Sequence, residues 1–321
     1  MTANEELDGA VKQIRELCAQ SPYAQGKNFF DQSLSKRQGG QVGDRHFETL
    51  RRAYQVVCRV AEGDYSQLFG AYMADEAGEE ERVVIKIVDD PADNDLLQNE
   101  LRVLEYLQVH PGSQQKHLPV LVDRFVTGGQ GGEDECHGSV LKYFDGLDIL
   151  EVRNRPKFAK GMDPYHVGWV LQRTLSAAGF AHSCGVVHCN IEPAHIMIRP
   201  RNHGLCLVDW SYAAINPLQT GDRYRVFNEI GYSAPEIRDG AKPHPSADLY
   251  SIGKSMVALL GGNIATGEMP GAVDERFQKL IKLMILEDPL ARAQDAWVMH
   301  QLLKPLRQEI WGEHEFTPLE V

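Results

Sequence analysis

A change of hydrophobic period part-way along the chain constrains its fold more than any other feature. From Tyr54 the apolar residues gather in short runs of strand length: YQVVCRV at 54–60, LFGAYMA at 68–74 and RVVIKIV at 82–88, the last two separated by the acidic turn DEAGEEE at 75–81. Leu97, Leu101, Leu104 and Leu107 then recur at helical spacing, with Asp93 as a plausible N-cap. Two further strand-like runs, LPVLVDRFV at 118–126 and SVLKYF at 139–144, flank the glycine-rich segment GGQGGEDECHG at 128–138. From Asp163-Pro164 onward the period is mostly 3.6. Val167, Val170, Leu171, Leu175 and Ala178 mark one helix, Leu249, Ile252, Met256 and Leu259 a second, and Phe277, Leu280, Ile281 and Met284 a third. Between the first two lies a β-rich stretch, VVHCNIEPAHIMIRP at 186–200 and GLCLVDWSYA at 204–213. The pattern predicts an α+β chain of two lobes: a five-stranded antiparallel sheet carrying one helix, then a mainly helical lobe, with the boundary near residues 144–148.

Composition narrows the function classes. A chain of 321 residues with 43% hydrophobic residues buries a core without disulfides or a structural metal. Forty-five acidic against thirty-three basic residues give a formal charge of -12, and no basic block stands ready to neutralise a run of phosphates, so nucleic acid is not an expected partner. The six cysteines, at 18, 58, 136, 184, 189 and 206, form no CxxC pair, and a reducing cytoplasm is the simplest setting. The N-terminus lacks the basic start and apolar run of a signal peptide, and no stretch approaches 18 consecutive apolar residues, so neither secretion nor membrane insertion is expected. Leu7, Val11, Ile14 and Leu17 predict a helix over 4–20, read either as an accessory element of its own domain or as a docking element for another protein.

Taken in order, several short motifs resemble the eukaryotic-type protein kinase family over roughly residues 54–305. VVIK at 83–86 resembles that family's strand-three VAIK, with Glu100 in the following helix where its ion-pair glutamate falls. HCNIEPAHIM at 188–197 resembles the catalytic-loop pattern HRDLKPENIL, and LVDW at 207–210 resembles the metal-binding DFG region. SAPEI at 233–237 contains the APE tripeptide, SADLYSIG at 246–253 resembles the start of the central helix, and Arg292 resembles the arginine that pairs with the APE glutamate. The resemblance implies a kinase-like domain at 54–305, with an N-lobe at 54–144 and a C-lobe at 145–305. Residues 1–53 would then form an N-terminal helix and linker, and 306–321 a tail. It also implies a nucleotide site: ATP with Mg or Mn, with Gly63, Lys86, Glu100, the hinge residues Tyr143 and Phe144, and Asp209 as binding residues, and Asp209 with His195 as the metal positions.

The chain departs from the family where the chemistry is done. Aligned on GxGxxGxV, residues 61–68 keep only the middle glycine, Gly63, so close backbone approach to phosphates is compromised. Asn190 stands at the catalytic aspartate's position, and an amide cannot take up a proton, which removes base help typically worth about 10²–10⁴-fold. Glu192 replaces the lysine that would touch the transferred phosphate. Cys189 replaces the arginine that would receive an activating phosphate, and His195 replaces the asparagine that would hold the second magnesium. Imidazole is a poor ligand for that hard ion. His188, Glu192 and His195 admit a second reading as a transition-metal set, the alternative being that His188 is a structural histidine of the loop. Function is accordingly read as a pseudokinase acting through partner binding. The alternative is an active atypical Ser/Thr kinase or a small-molecule phosphotransferase using Glu192 as a displaced base or metal ligand; SAPEI with Arg292 favours the protein-kinase branch.

Overall fold

The structure, a computed structural model, describes residues 46–74, 80–127, 135–313 and 316–321. The helix expected over 4–20 and most of both the acidic turn and the glycine-rich segment lie outside the described residues. The described residues divide into two compact units, one holding those from 46 to Arg102 and those within Val120–Asp145, the other Val103–Pro119 and those from Gly146 onward.

The first unit is an antiparallel sheet in the order β1-β2-β3-β4-β6-β5. Its strands are β1 (His46–Glu48), β2 (Ala53–Glu62), β3 (Ser66–Ala74), β4 (Glu80–Val88), β5 (Leu121–Thr127) and β6 (Cys136–Lys142). The sheet therefore has six strands where five were expected. The extra one pairs Phe47 with Tyr54, and a three-residue strand with one apolar side chain is too short to show a period. Phe47 is buried with its ring edge-on to Phe125 at 4.7 Å, so the sheet's core begins before residue 54. Phe125 in turn lies over Gly138, where a Cβ would come within 2.1 Å of its ring, so this position of β6 admits only glycine.

Helix α1 (Asn94–Gln108) follows β4 through a short turn at Pro91–Asp93. The capping side chain is Asp90, which accepts from the Ala92 N–H at 2.8 Å, and not Asp93, which lies inside that turn. Asn94 ties the start of α1 to the sheet: its Nδ2 donates to the Glu135 carbonyl at 2.6 Å and its Oδ1 accepts from the His137 N–H at 2.8 Å. That pair of bonds fixes the helix whose next turns carry Glu100.

The second unit is mainly helical. It contains α2 (Ile149–Arg153), α3 (Pro164–Ser183), α4 (Pro217–Thr220), α5 (Pro235–Arg238), α6 (Pro245–Leu259), α7 (Glu275–Met284) and α8 (Ala296–Trp311). Asp163 caps α3 with Pro164 as its first residue, and fourteen of the fifteen residues of α6 are buried, which makes it the helix around which the unit packs. No described helix is long and apolar enough to cross a membrane. The β-rich stretch folds as β7 (Leu147–Asp148), β9 (Ile196–Arg199) and β10 (Gly204–Leu207) in one small sheet, and β8 (Val186–Val187) with β11 (Ala214–Ile215) in another. Helix α8 continues past residue 305, and Leu319 beyond it is buried, its N–H donating to the Pro200 carbonyl at 3.2 Å.

The loop between β8 and β9 is held from α6. Asp248 is 1% exposed, and its carboxylate accepts from the N–H groups of His188 at 2.8 Å and Cys189 at 2.9 Å, with His182 Nε2 at 2.9 Å. Burial alone would raise the Asp248 carboxyl, but its hydrogen bond with His182 and the neighbouring imidazoles outweigh that and hold it below its ordinary range. His188 is equally buried. Its Nδ1 accepts from the Asn190 N–H at 3.3 Å and its Nε2 faces the Val208 carbonyl at 3.1 Å, the pattern of a neutral imidazole donating from Nε2.

Burial lowers the His188 pKa from 6.5 to about 4. Between those values the unfolded chain binds more protons than the folded one. The stability due to this group is therefore complete above about pH 6.5 and is lost as pH falls towards 4, by about 3 kcal/mol at ~1.4 kcal/mol per pH unit. Chemical denaturation at pH 7 and pH 4.5 checks this: His188→Gln is expected to lower stability at pH 7 but to lose distinctly less than the wild type on acidification. Equal losses would remove His188 as the titrating group.

Candidate functional site

In the first unit the site is built around Lys86 on β4. Register places Lys86 opposite Leu68 on β3 and Ser139 on β6, in the middle of the sheet. Its ammonium donates to Glu100 Oε2 at 2.7 Å, and the two side chains are 8% and 3% exposed. A buried pair of this kind persists because each charge satisfies the other, and removing one partner typically costs about 3–5 kcal/mol. The sequence thus brings together the two residues expected to direct a cation at a phosphate. A third group, not expected, joins them: Lys86 Nζ is 2.5 Å from the Tyr65 hydroxyl and 4.6 Å from the centre of its ring. Gly63 sits in the three-residue turn between β2 and β3, where its N–H donates to the Ser66 carbonyl at 2.8 Å, closing the hairpin on itself. Tyr143 follows β6, with its N–H donating to the Arg82 carbonyl at 3.1 Å, the Arg82 guanidinium over its ring, and its side chain packed against Val57, Cys58, Val60 and Tyr72. Phe144 is next in the chain, half-buried.

In the second unit the loop from His188 to His195 and the segment Asp209–Trp210 form a connected group. Cys189 and Asp209 both adopt left-handed backbone conformations, with φ of 68° and 63°. Such residues are held at a cost that surrounding contacts must meet. The Asp248 bonds meet it at Cys189. At the other position Trp210 is fully buried, its indole N–H donating to the Leu207 carbonyl at 2.9 Å and its ring packed 4.4 Å from that of His188. Asp209 Oδ1 accepts from Ser211 Oγ at 2.9 Å. His195 Nδ1 meets the Asn190 carbonyl at 2.7 Å, which turns Nε2 towards Asp209 Oδ2 at 3.3 Å and Glu192 Oε1 at 3.8 Å. The expected metal positions Asp209 and His195 are therefore neighbours.

His188 is not part of a metal set with Glu192 and His195, since both its ring nitrogens are engaged, one by the Asn190 N–H and the other by the Val208 carbonyl. Among the described residues no three His, Cys, Asp or Glu side chains are grouped to hold a metal ion. Asp209 supplies one hard oxygen of the kind magnesium takes, and His195 supplies an imidazole better suited to manganese or zinc. The Cys189 thiol is pushed well above its ordinary pKa by burial and by Asp248, so it offers neither a thiolate nor the cation of an arginine.

Glu192 has a partner that no sequence period could reveal. Its carboxylate accepts a hydrogen bond from Asn228 Nδ2, thirty-six positions away. Asn228 also donates its N–H to Ser233 Oγ at 2.8 Å and accepts from the Ile230 N–H at 2.9 Å, so it organises the segment leading into SAPEI. Beyond that segment Arg292, fully buried, makes two parallel bonds to Glu236 at 2.6 and 3.0 Å. Asp248 likewise has a role that its motif alone does not reveal. Its motif SADLYSIG was visible, but the role of its carboxylate in holding the loop backbone was not.

Comparison with known proteins agrees with this geometry. The protein kinase domain family matches residues 54–297. Among curated proteins, the chain is 25% identical over 277 residues to a probable serine/threonine-protein kinase of Dictyostelium discoideum, covering 83% of this chain and 41% of that protein. It is 27% identical over 187 residues to a probable serine/threonine-protein kinase, a CHK1 homolog, of Encephalitozoon cuniculi, covering 56% and 42%. It is 28% identical over 159 residues to serine/threonine-protein kinase F of Synechocystis sp., covering 46% and 29%. The chain thus spans less than half the length of each of these relatives. With the Lys86–Glu100 pair, the loop held by Asp248 and the Arg292–Glu236 clamp in place, the chain belongs to the protein kinase domain family.

Proposed function

We propose that this protein kinase domain works as a pseudokinase: it binds nucleotide weakly and acts by presenting its surface to another protein, without transferring phosphate. The observation that carries the reading is the content of the loop Asp248 holds. The backbone frame of a catalytic loop is retained, while Asn190 stands where a base is needed and Glu192 is committed to Asn228. A carboxylate in the place of a phosphate-pairing lysine exchanges an attraction of about 4 kcal/mol, for charges 4 Å apart at an effective dielectric near 20, for a repulsion of similar size. The absent base costs a further 10²–10⁴-fold or so. Relatives named as serine/threonine kinases support ATP with Mg or Mn as the nucleotide and metal class. On this chain Lys86, paired to Glu100, would meet phosphate and Asp209 would meet the metal; bound nucleotide and metal supply charge neutralisation, and these residues supply its direction. The partner is a protein, and residues 4–20 are the proposed contact.

Two measurements test the proposal. In a radiolabelled transfer assay with Mg or Mn the wild type is expected to give no product above background. Asn190→Asp alone is expected to recover little, because Glu192 and His195 remain, and the triple change Asn190→Asp, Glu192→Lys, His195→Asn to recover measurable transfer. Robust wild-type transfer abolished by Glu192→Ala would instead make Glu192 a displaced base. In a thermal-shift titration, Lys86→Ala is expected to remove the rise in melting temperature that ATP produces; an unchanged rise would place the nucleotide elsewhere.

A further inference from the structure

The turn between β2 and β3 is built to hold an aromatic side chain against Lys86. Beyond the Gly63 N–H bond that closes the turn, the Tyr65 carbonyl accepts from the Asp89 N–H at 3.0 Å, and Gln67 Nε2 donates to Asp89 Oδ1 at 2.7 Å. Asp89 directly follows β4, the strand that carries Lys86, so these bonds fix the backbone of Tyr65 to the same strand end. The side chain is correspondingly buried at 7% exposure, its hydroxyl on the ammonium and its ring beside it. An ammonium has three N–H donors. Glu100 and the Tyr65 hydroxyl each take up one of them.

We propose that Tyr65 determines which ligands reach Lys86. A phosphate that reaches the ammonium competes with the tyrosine hydroxyl for its N–H donors, whereas a nucleoside without phosphates does not. The charge-assisted hydrogen bond opposes displacement of the hydroxyl. With the Lys86–Glu100 pair still formed, the tyrosine thus weakens the contribution of Lys86 to triphosphate binding and narrows the preference for ATP over adenosine. This inference rests on the proposed nucleotide site.

The test is a set of calorimetric titrations of the full chain with adenosine and with ATP plus Mg. In the wild type ATP is expected to bind tighter than adenosine, but by less than about tenfold. Tyr65→Ala is expected to tighten ATP by about tenfold or more and leave adenosine unchanged, Tyr65→Phe to give a smaller gain because the ring remains, and adding Lys86→Ala to Tyr65→Ala to erase the gain. Wild-type ATP binding tenfold tighter than adenosine, or no ATP gain in Tyr65→Ala, would overturn the role of Tyr65 while leaving the nucleotide site standing. Absence of binding by either ligand to every variant would overturn both. A second readout does not depend on nucleotide: acylation of Lys86 by an amine-reactive reagent, followed by peptide mass spectrometry. It is expected to be faster in Tyr65→Phe, which preserves the shape of the side chain, and faster again in Tyr65→Ala. Equal rates in all three would show that the tyrosine does not cover the amine.

Discussion

The arrangement of the second unit depends on one buried carboxylate. Asp248 leaves water on the first turn of an almost wholly buried helix, and the cost of placing a charge there is met by two backbone N–H groups and an imidazole. Because those N–H groups belong to His188 and Cys189, meeting the needs of the carboxylate also imposes the shape of the loop, including the left-handed turn at Cys189. Every later contact starts from that shape: the neutral His188 against Trp210, the Asn190 carbonyl that orients His195, and the placement of Glu192 where Asn228 reaches it.

The groups that hold the frame and the groups at the positions for phosphoryl transfer differ in burial. The frame consists of groups whose removal would leave charges buried and unpaired: Asp248, Lys86 with Glu100, and Arg292 with Glu236. Their loss is penalised by stability, whatever the protein does. The residues that would move a phosphoryl group carry no such penalty. Asn190, Glu192 and His195 are only partly buried, and two of them have acquired contacts with the protein itself, Glu192 to Asn228 and His195 to Asp209. Glu192 is best understood as a positioning residue for the segment before SAPEI, which gives the charge reversal a structural reason.

Much of the frame was legible in the sequence because it is written in periods and short colinear motifs. The strand runs, the Leu97, Leu101, Leu104 and Leu107 stripe, the Lys86–Glu100 pair and the Arg292–Glu236 pair all follow from such signals. What escaped are contacts that depend on tertiary proximity. β1 has three residues and one apolar anchor, too few to show alternation. Asp90 and Asp93 are equally good capping residues on paper, and only the short turn at Pro91–Asp93 decides between them. Tyr65 reads as a loop position until the hairpin turns it onto Lys86. The Glu192–Asn228 bond joins two segments with no shared pattern, so Glu192 could be read only by what it lacks.

On the proposed reading, the frame of a kinase persists here without phosphoryl transfer. The most direct test of that reading follows the γ-phosphate itself: intact-mass measurement of the purified chain together with quantitation of the remaining ATP, after prolonged incubation with ATP and either Mg or Mn. Unmodified protein and undiminished ATP are expected under both metals. Phosphate added to the chain, or ATP consumption that disappears in Glu192→Ala, would contradict it.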